Sequence, residues 1–244
     1  MSQVSDDLYL GPVYLPGQRD QNAPSSPQLG AGPAGRIFYF DAVPVVSGPA
    51  LLAALQSPGA AGNLVLTPGA GVTSFVDPSG NTRLVLDYAR RVTITSAGNL
   101  SAVTFLVSGY DQYGQKMSQL VTGPNASTVA TLKTFKQVTT VYANGAAAAV
   151  SVGFNDAMGL PYRIIDAGYA VDPSWANVFA RDAGTFVSAD LTSPSTNLTG
   201  DVRGVYTPST AAGSGKRLVF GIALTALQCG PNATRIGLAG VDQS

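Results

Sequence analysis

The chain has 244 residues, 45% apolar and only 11% charged, and its 14 basic and 14 acidic side chains cancel to a formal net charge of zero. With no basic block denser than Arg90-Arg91, it lacks the clustered Lys and Arg on which nucleic-acid binding draws, and no run of about 18 apolar residues offers a membrane span. Every acidic residue is Asp, and Glu, the usual filling of exposed helix faces, is absent beside 28 Gly and 16 Pro, so the composition predicts an all-β protein rich in turns.

Residues 1–36 are rich in Pro, Gly, Ser and Gln yet carry two small apolar clusters, Leu8-Tyr9-Leu10 and Val13-Tyr14-Leu15. A purely solvated tail has little use for such clusters, so this stretch is expected to be an extended arm that lies on a neighbour through those six side chains. Ile37 to Val46 is aromatic and β-branched and reads as a strand interrupted at Pro44. One short helix is expected over Ala50 to Gln56, with Ser47 as its cap, Pro49 in its first turn and Pro58-Gly59 as its stop. From Asn63 onward strand and turn alternate, with turns at Asp77 to Asn81, Ala97 to Asn99, Gln112 to Gln115 and Ala143 to Gly145. The period-2 pattern of Val92, Ile94, Val103, Phe105, Val107, Val138, Val150 and Val152, with Thr and Ser between, marks one buried face of half-buried antiparallel strands. After Asp156 the alternation weakens, then returns in 162–166, 185–191, 201–208 and 216–227. Residues 37–244 therefore read as one antiparallel β-sandwich, jelly-roll-like, with 155 as the place where it would subdivide.

The sequence offers little for chemistry. With no His and a single Cys, Cys229, Ser-His-Asp and Cys-His catalysis, most transition-metal sites and an intrachain disulfide are excluded. Pairs such as Asp87-Tyr88, Tyr110-Asp111 and Asp172 near Trp175 admit a two-carboxylate glycosidase on paper, but Asp beside Pro, Gly and Gln reads first as turn chemistry. Gly30-Ala-Gly32 and Gly69-Ala-Gly71 lack the Lys and helix of a phosphate loop. Sequons at Asn99, Asn125, Asn197 and Asn232 are what a chain this rich in Ser and Thr produces by chance. The aromatics Tyr110, Tyr113, Tyr169 and Trp175 could stack on a sugar, yet no polar cluster converges beside them. The expectation is a chain with no catalytic activity, no metal and no cofactor.

The run from Arg90 to Gly153, RRVTITSAGNLSAVTFLVSGYDQYGQKMSQLVTGPNASTVATLKTFKQVTTVYANGAAAAVSVG, resembles segments of tailed-phage virion proteins. GLPYRI (Gly159 to Ile164), TGDVRGVY (Thr199 to Tyr206) and GPNATR near the end are similar to the same group, so that the likeness covers about two thirds of the chain. The resemblance implies a structural protein encoded close to the major capsid protein, most simply a cement or decoration protein bound over the joints between capsid subunits. Its partners would be the major capsid protein and copies of itself, and its place the capsid exterior after assembly in the host cytoplasm. A jelly-roll shell, tail or neck component and a receptor- or glycan-binding module of a tail fibre are the other positions it leaves open.

Overall fold

A computed structural model describes residues 37–164, 167, 170–178, 180–192, 194–213 and 215–223. The arm, with Leu8, Tyr9, Leu10, Val13, Tyr14 and Leu15, lies outside the described residues, as do Gly30 to Gly32, Tyr169, Cys229 and the end of the last predicted strand. Within them the chain is all-β and forms no helix. Its strands are β1 (Ile37–Ala42), β2 (Gly48–Gln56), β3 (Gly62–Asn63), β4 (Thr73–Val76), β5 (Thr82–Asn99), β6 (Thr104–Tyr110) and β7 (Lys116–Thr122). They continue as β8 (Asn125–Ala143), β9 (Val150–Gly159), β10 (Ala170–Trp175), β11 (Thr185–Val187), β12 (Val205–Thr207) and β13 (Leu218–Ala223). Every pairing is antiparallel. A small sheet runs β1-β13-β10, and a large one runs β11-β12-β9-β5-β8-β6-β7, with β2 added to β9, β3 to β8 and β4 to β5.

The two long strands make the sandwich. At 18 and 19 residues, β5 and β8 are about three times the usual strand length, and each belongs to both layers. The first half of β5 pairs with β4 and the second half of β8, whereas the second half of β5 pairs with β9 and the first half of β8. Register slips between Val85 and Arg90 and between Arg91 and Thr93. Bulges of this kind bend strands, so the large sheet curls over itself and its two halves face one another.

Between those halves, Leu84, Leu86, Phe105, Val107, Val138 and Val141 meet Leu52, Val92, Ile94, Val150, Val152 and Phe154 in one core. Val92, Ile94, Phe105, Val107, Val138, Val150 and Val152 are fully buried there as the alternation predicted, and Val103 packs at the margin. A second core, with Met158, Leu160, Ile164, Trp175, Leu218, Phe220 and Ile222, lies under the small sheet. β9 serves both, since Phe154 belongs to the first core and Met158 to the second.

The expected helix over Ala50 to Gln56 is a strand instead, β2. Two turns of helix are marginal on their own, and the segment has better partners as a strand. Ala53 pairs with Val152 of β9, Leu52 is fully buried in the core, and the outer edge accepts Thr67 N at 2.9 Å on the Leu52 carbonyl and Gly69 N at 2.8 Å on that of Leu51. Tertiary pairing overrides the local signals of Ser47, Pro49 and the Ala-Leu run.

Candidate functional site

The ionisable side chains that the fold gathers lie where β5 and β8 bend. Arg90 is in phase with Leu84, Leu86, Val92 and Ile94, so its guanidinium enters the interior, and its side chain is 0% exposed. Nε donates to Asp87 Oδ1 at 3.0 Å, Nη1 to the Asn155 carbonyl at 3.3 Å and Nη2 to that of Val45 at 3.1 Å. Asp156 lies 3.5 Å from Nη1, and the Phe154 ring lies 5.2 Å away. Asp87 in turn accepts Val45 N at 2.8 Å. Lys136 caps the bulge, donating to the carbonyls of Leu86 and Asp87 at 2.6 and 2.8 Å, and burial pulls its amine below the usual lysine range.

A loop from Asp190 to Asp201 closes on this bend from outside. It is pinned at its neck by Asp190 N to the Asp201 carbonyl at 2.8 Å and Gly200 N to Asp190 Oδ2 at 2.7 Å. Its tip covers β7, where Leu120 N donates to the Asn197 carbonyl at 2.7 Å. Asp201 Oδ2 accepts both Thr134 N at 2.9 Å and Thr134 Oγ1 at 2.6 Å. Arg203 and Asp111 form a buried ion pair at 2.7 Å, and Arg203 also donates to Gln115 at 3.1 Å and sits 4.7 Å from the Tyr113 ring. The cleft bounded by Ala89, Asp111, Gln112, Thr134, Leu160, Asp201 and Arg203 is too tight to admit a water molecule. These carboxylates are spent on backbone amides and guanidinium groups, which makes them clamps between strands and not an acid-base pair facing a substrate.

Lys133 lies beneath the same loop, its amine donating to the carbonyls of Thr196 at 2.8 Å and Ser118 at 3.3 Å and to Ser195 Oγ at 3.4 Å. Burial pulls its pKa down to about 8, against the opposing pull of Asp201 and Asp190. The unfolded chain titrates this group near 10.5, so between pH 8 and 10 it holds a proton that the folded chain has released, and stability rises with pH. Below pH 8 both states are charged and the full cost of burying the cation is present. Lys133 is expected to add roughly 2 kcal/mol to the unfolding free energy between pH 8 and 10. Lys136 acts in the same direction, so the measurement is the difference in slope between wild type and Lys133→Met in urea titrations across that window. Equal slopes would place the charge of Lys133 in solvent.

Of the aromatic residues singled out in the sequence, the described ones, Tyr110, Tyr113 and Trp175, are each engaged with different neighbours. Trp175 is buried in the second core with Nε1 donating to Thr210 Oγ1 at 2.8 Å. Tyr110 lies under Arg83 at 4.3 Å, and Tyr113 donates to the Pro161 carbonyl at 2.6 Å. Gly69 and Gly71 belong to a turn in which Val72 N donates to the Gly69 carbonyl at 3.1 Å. Asp77 and Asp111 cap turns of the same construction: Asp77 Oδ1 accepts Ser79 N and Asn81 N, and Asp111 Oδ1 accepts Tyr113 N and Gln115 N. The Asn81 amide foremost, then Arg83 and the Ser79 amide, hold the Asp77 carboxyl below its usual range. Among the described residues no three His, Cys, Asp or Glu gather as metal ligands do. Arg90, Lys133, Asp201 and Arg203 were not singled out by sequence reasoning. For Arg90 the signal was present, a charge in phase with a buried apolar row.

Compared with protein-family models, curated proteins and solved structures, the chain matches none.

Proposed function

We propose that this chain is a non-enzymatic structural protein of a tailed-phage particle, a cement or decoration protein that binds over joints between major capsid subunits and stabilises the head. The observation that carries the reading is that Asp77, Arg90, Asp111, Lys133, Asp201 and Arg203 are buried and hold strands and turns together. The exterior keeps only scattered charges, such as Asp41, Lys116, Arg181 and Arg217, beside apolar side chains, among them Leu55, Val65, Val76, Leu132, Leu191 and Leu198. Such a surface packs against copies and neighbours with little charge repulsion, and repetition over a shell multiplies weak contacts into avidity. The likeness of Arg90 to Gly153 to virion proteins points the same way.

In this reading the arm carries attachment. Deleting residues 2–36 is expected to leave the β-sandwich folded, with a thermal midpoint within a few degrees of the full chain, while binding to capsids falls at least tenfold. The check is cosedimentation with undecorated capsids, together with copy number read from a stained gel of purified particles. A decoration protein approaches one copy per few capsid subunits. A handful of copies per particle would move the chain to a tail fibre, and undiminished binding of the truncated chain would move attachment to the sandwich.

A further inference from the structure

We infer that the outer edge of β1, unpaired among the described residues, receives the segment Leu8–Leu15 of a neighbouring copy as an added strand, so that the arm links one copy to the next. The inference rests on the arm reading above and names the surface on which the arm lands.

Sheet edges are templates for strand addition, and proteins usually guard them with prolines, bulges, charge, covering loops or shortness. The other edges described in this fold are guarded. β7 is covered by the Asp190 to Asp201 loop through Asn197. β2 contains Pro49 and has its outer side taken by Thr67, Gly69 and the Gln56 amide, which brackets Val65 N and O at 3.0 Å each. β10 is broken by a bulge between Val171 and Ser174 and bridges outward to Arg181. β11, β4 and β3 have three, four and two residues.

β1 has none of these devices among the described residues. It runs six residues in unbroken register with β13 and contains no Pro and no Lys. Its single charge, Asp41, is neutralised by a two-pronged ion pair with Arg217. Phe40 and Ala42 pack into the second core, while Tyr39 stands 74% exposed on the opposite face. An unguarded edge beside an exposed aromatic is suited to an incoming extended segment, with main-chain hydrogen bonds for affinity and the ring for register.

The chain supplies such a segment. Thirty-six residues precede β1, and Leu8 to Leu15 carries an apolar triplet on either side of Gly11-Pro12; as the outermost strand it can hold Pro12 with its nitrogen turned away from β1. Between that segment and Ile37 lie Pro16, Pro24, Pro27 and Pro33. At about 3.1 Å per residue a Pro-rich stretch of roughly 20 residues reaches about 65 Å, beyond the roughly 45 Å diameter of a globule of this size. Return to its own β1 would need a hairpin loop of that same length, where hairpin loops run about two to five residues. A neighbour's edge is the better-matched receptor.

The test uses the full chain, without capsids, in sedimentation velocity from about 1 to 100 µM. Self-association is expected, weakened at least tenfold by Tyr39→Lys and equally by Leu10→Lys with Tyr14→Lys, with far-ultraviolet circular dichroism unchanged. Tyr39→Ser serves as the milder edge variant if Tyr39→Lys fails to fold. In a Cys229→Ser background, a tagged Tyr9→Cys copy mixed with an untagged Tyr39→Cys copy is expected to form a disulfide between copies. A chain that stays monomeric throughout, a disulfide that forms only when both substitutions share one chain, or Tyr39→Cys copies that cross-link to each other while the arm variants still associate would each overturn the inference. Association retained alongside failed capsid binding would overturn the decoration reading and leave this one standing.

Discussion

Arg90→Met is expected to lower the unfolding free energy by about 3–5 kcal/mol, the cost of breaking a buried ion pair from one side. The guanidinium is fully buried and is the counter-charge of both Asp87 and Asp156. Without it Asp156 Oδ1, which already has no hydrogen-bond partner, loses its cation, and the carbonyls of Val45 and Asn155 lose their donor. The methionine fills much of the volume, so the loss reads charge and hydrogen bonding more than cavity. Its neighbour is the control. Arg91 follows in sequence but faces the other way, half-buried, and among the described residues its Nε donates to the Leu132 carbonyl at 3.2 Å. Arg91→Met is expected to cost about 1 kcal/mol or less. Urea denaturation of the two variants decides it, and equal losses would show that Arg90 is not the internal clamp of the bend.

The contrast between those two arginines shows what was legible in the sequence. Strand faces were, because period-2 burial writes itself into Val92, Ile94, Phe105 and Val107 whatever the topology. The Asp77 and Asp111 turns were legible too, since a short carboxylate followed by Gly three residues later caps its own backbone. What could not be read locally is the bend. β5 and β8 are each one continuous strand, and the bulges that bend them interrupt the alternation between Val85 and Thr93 of β5 without any Gly or Pro to mark the place. The side chains that satisfy those bulges come from 50 residues away, as Lys136 does for Leu86, or 67 away, as Asp201 does for Thr134. β2 fails for a related reason: its helix signals are local, whereas its partners, β9 and the residues 65–69, are not.

The same long-range logic explains why no open site emerged from the candidate acids. A carboxylate useful to a reaction must face a substrate, but here the bulged corner leaves backbone amides without ladder partners, and burying them unpaired would cost about 1–3 kcal/mol each. Asp87, Asp111 and Asp201 meet that need. The placement of Asp87 and Asp111 beside Tyr88 and Tyr110, which on paper admits a sugar site, follows from sitting at a bend and a turn where rings also pack.

The Asp111–Arg203 pair extends this argument to a measurable coupling. Both side chains are almost wholly buried, and Arg203 Nε has no hydrogen-bond partner, so the pair is held by charge more than by a complete set of hydrogen bonds. Arg203→Met strands an anion, and Asp111→Asn strands a cation while keeping the Oδ1 acceptor that the Tyr113 and Gln115 amides use. Each single change is expected to cost about 3–5 kcal/mol. Made together they leave no unpaired charge, so the double variant is expected to recover on the order of 1–3 kcal/mol relative to the sum of the singles. If the costs simply add, the two residues contribute through separate neighbours, Gln115 and the turn amides, and the ion pair does not join the Asp190 to Asp201 loop to the β6–β7 turn.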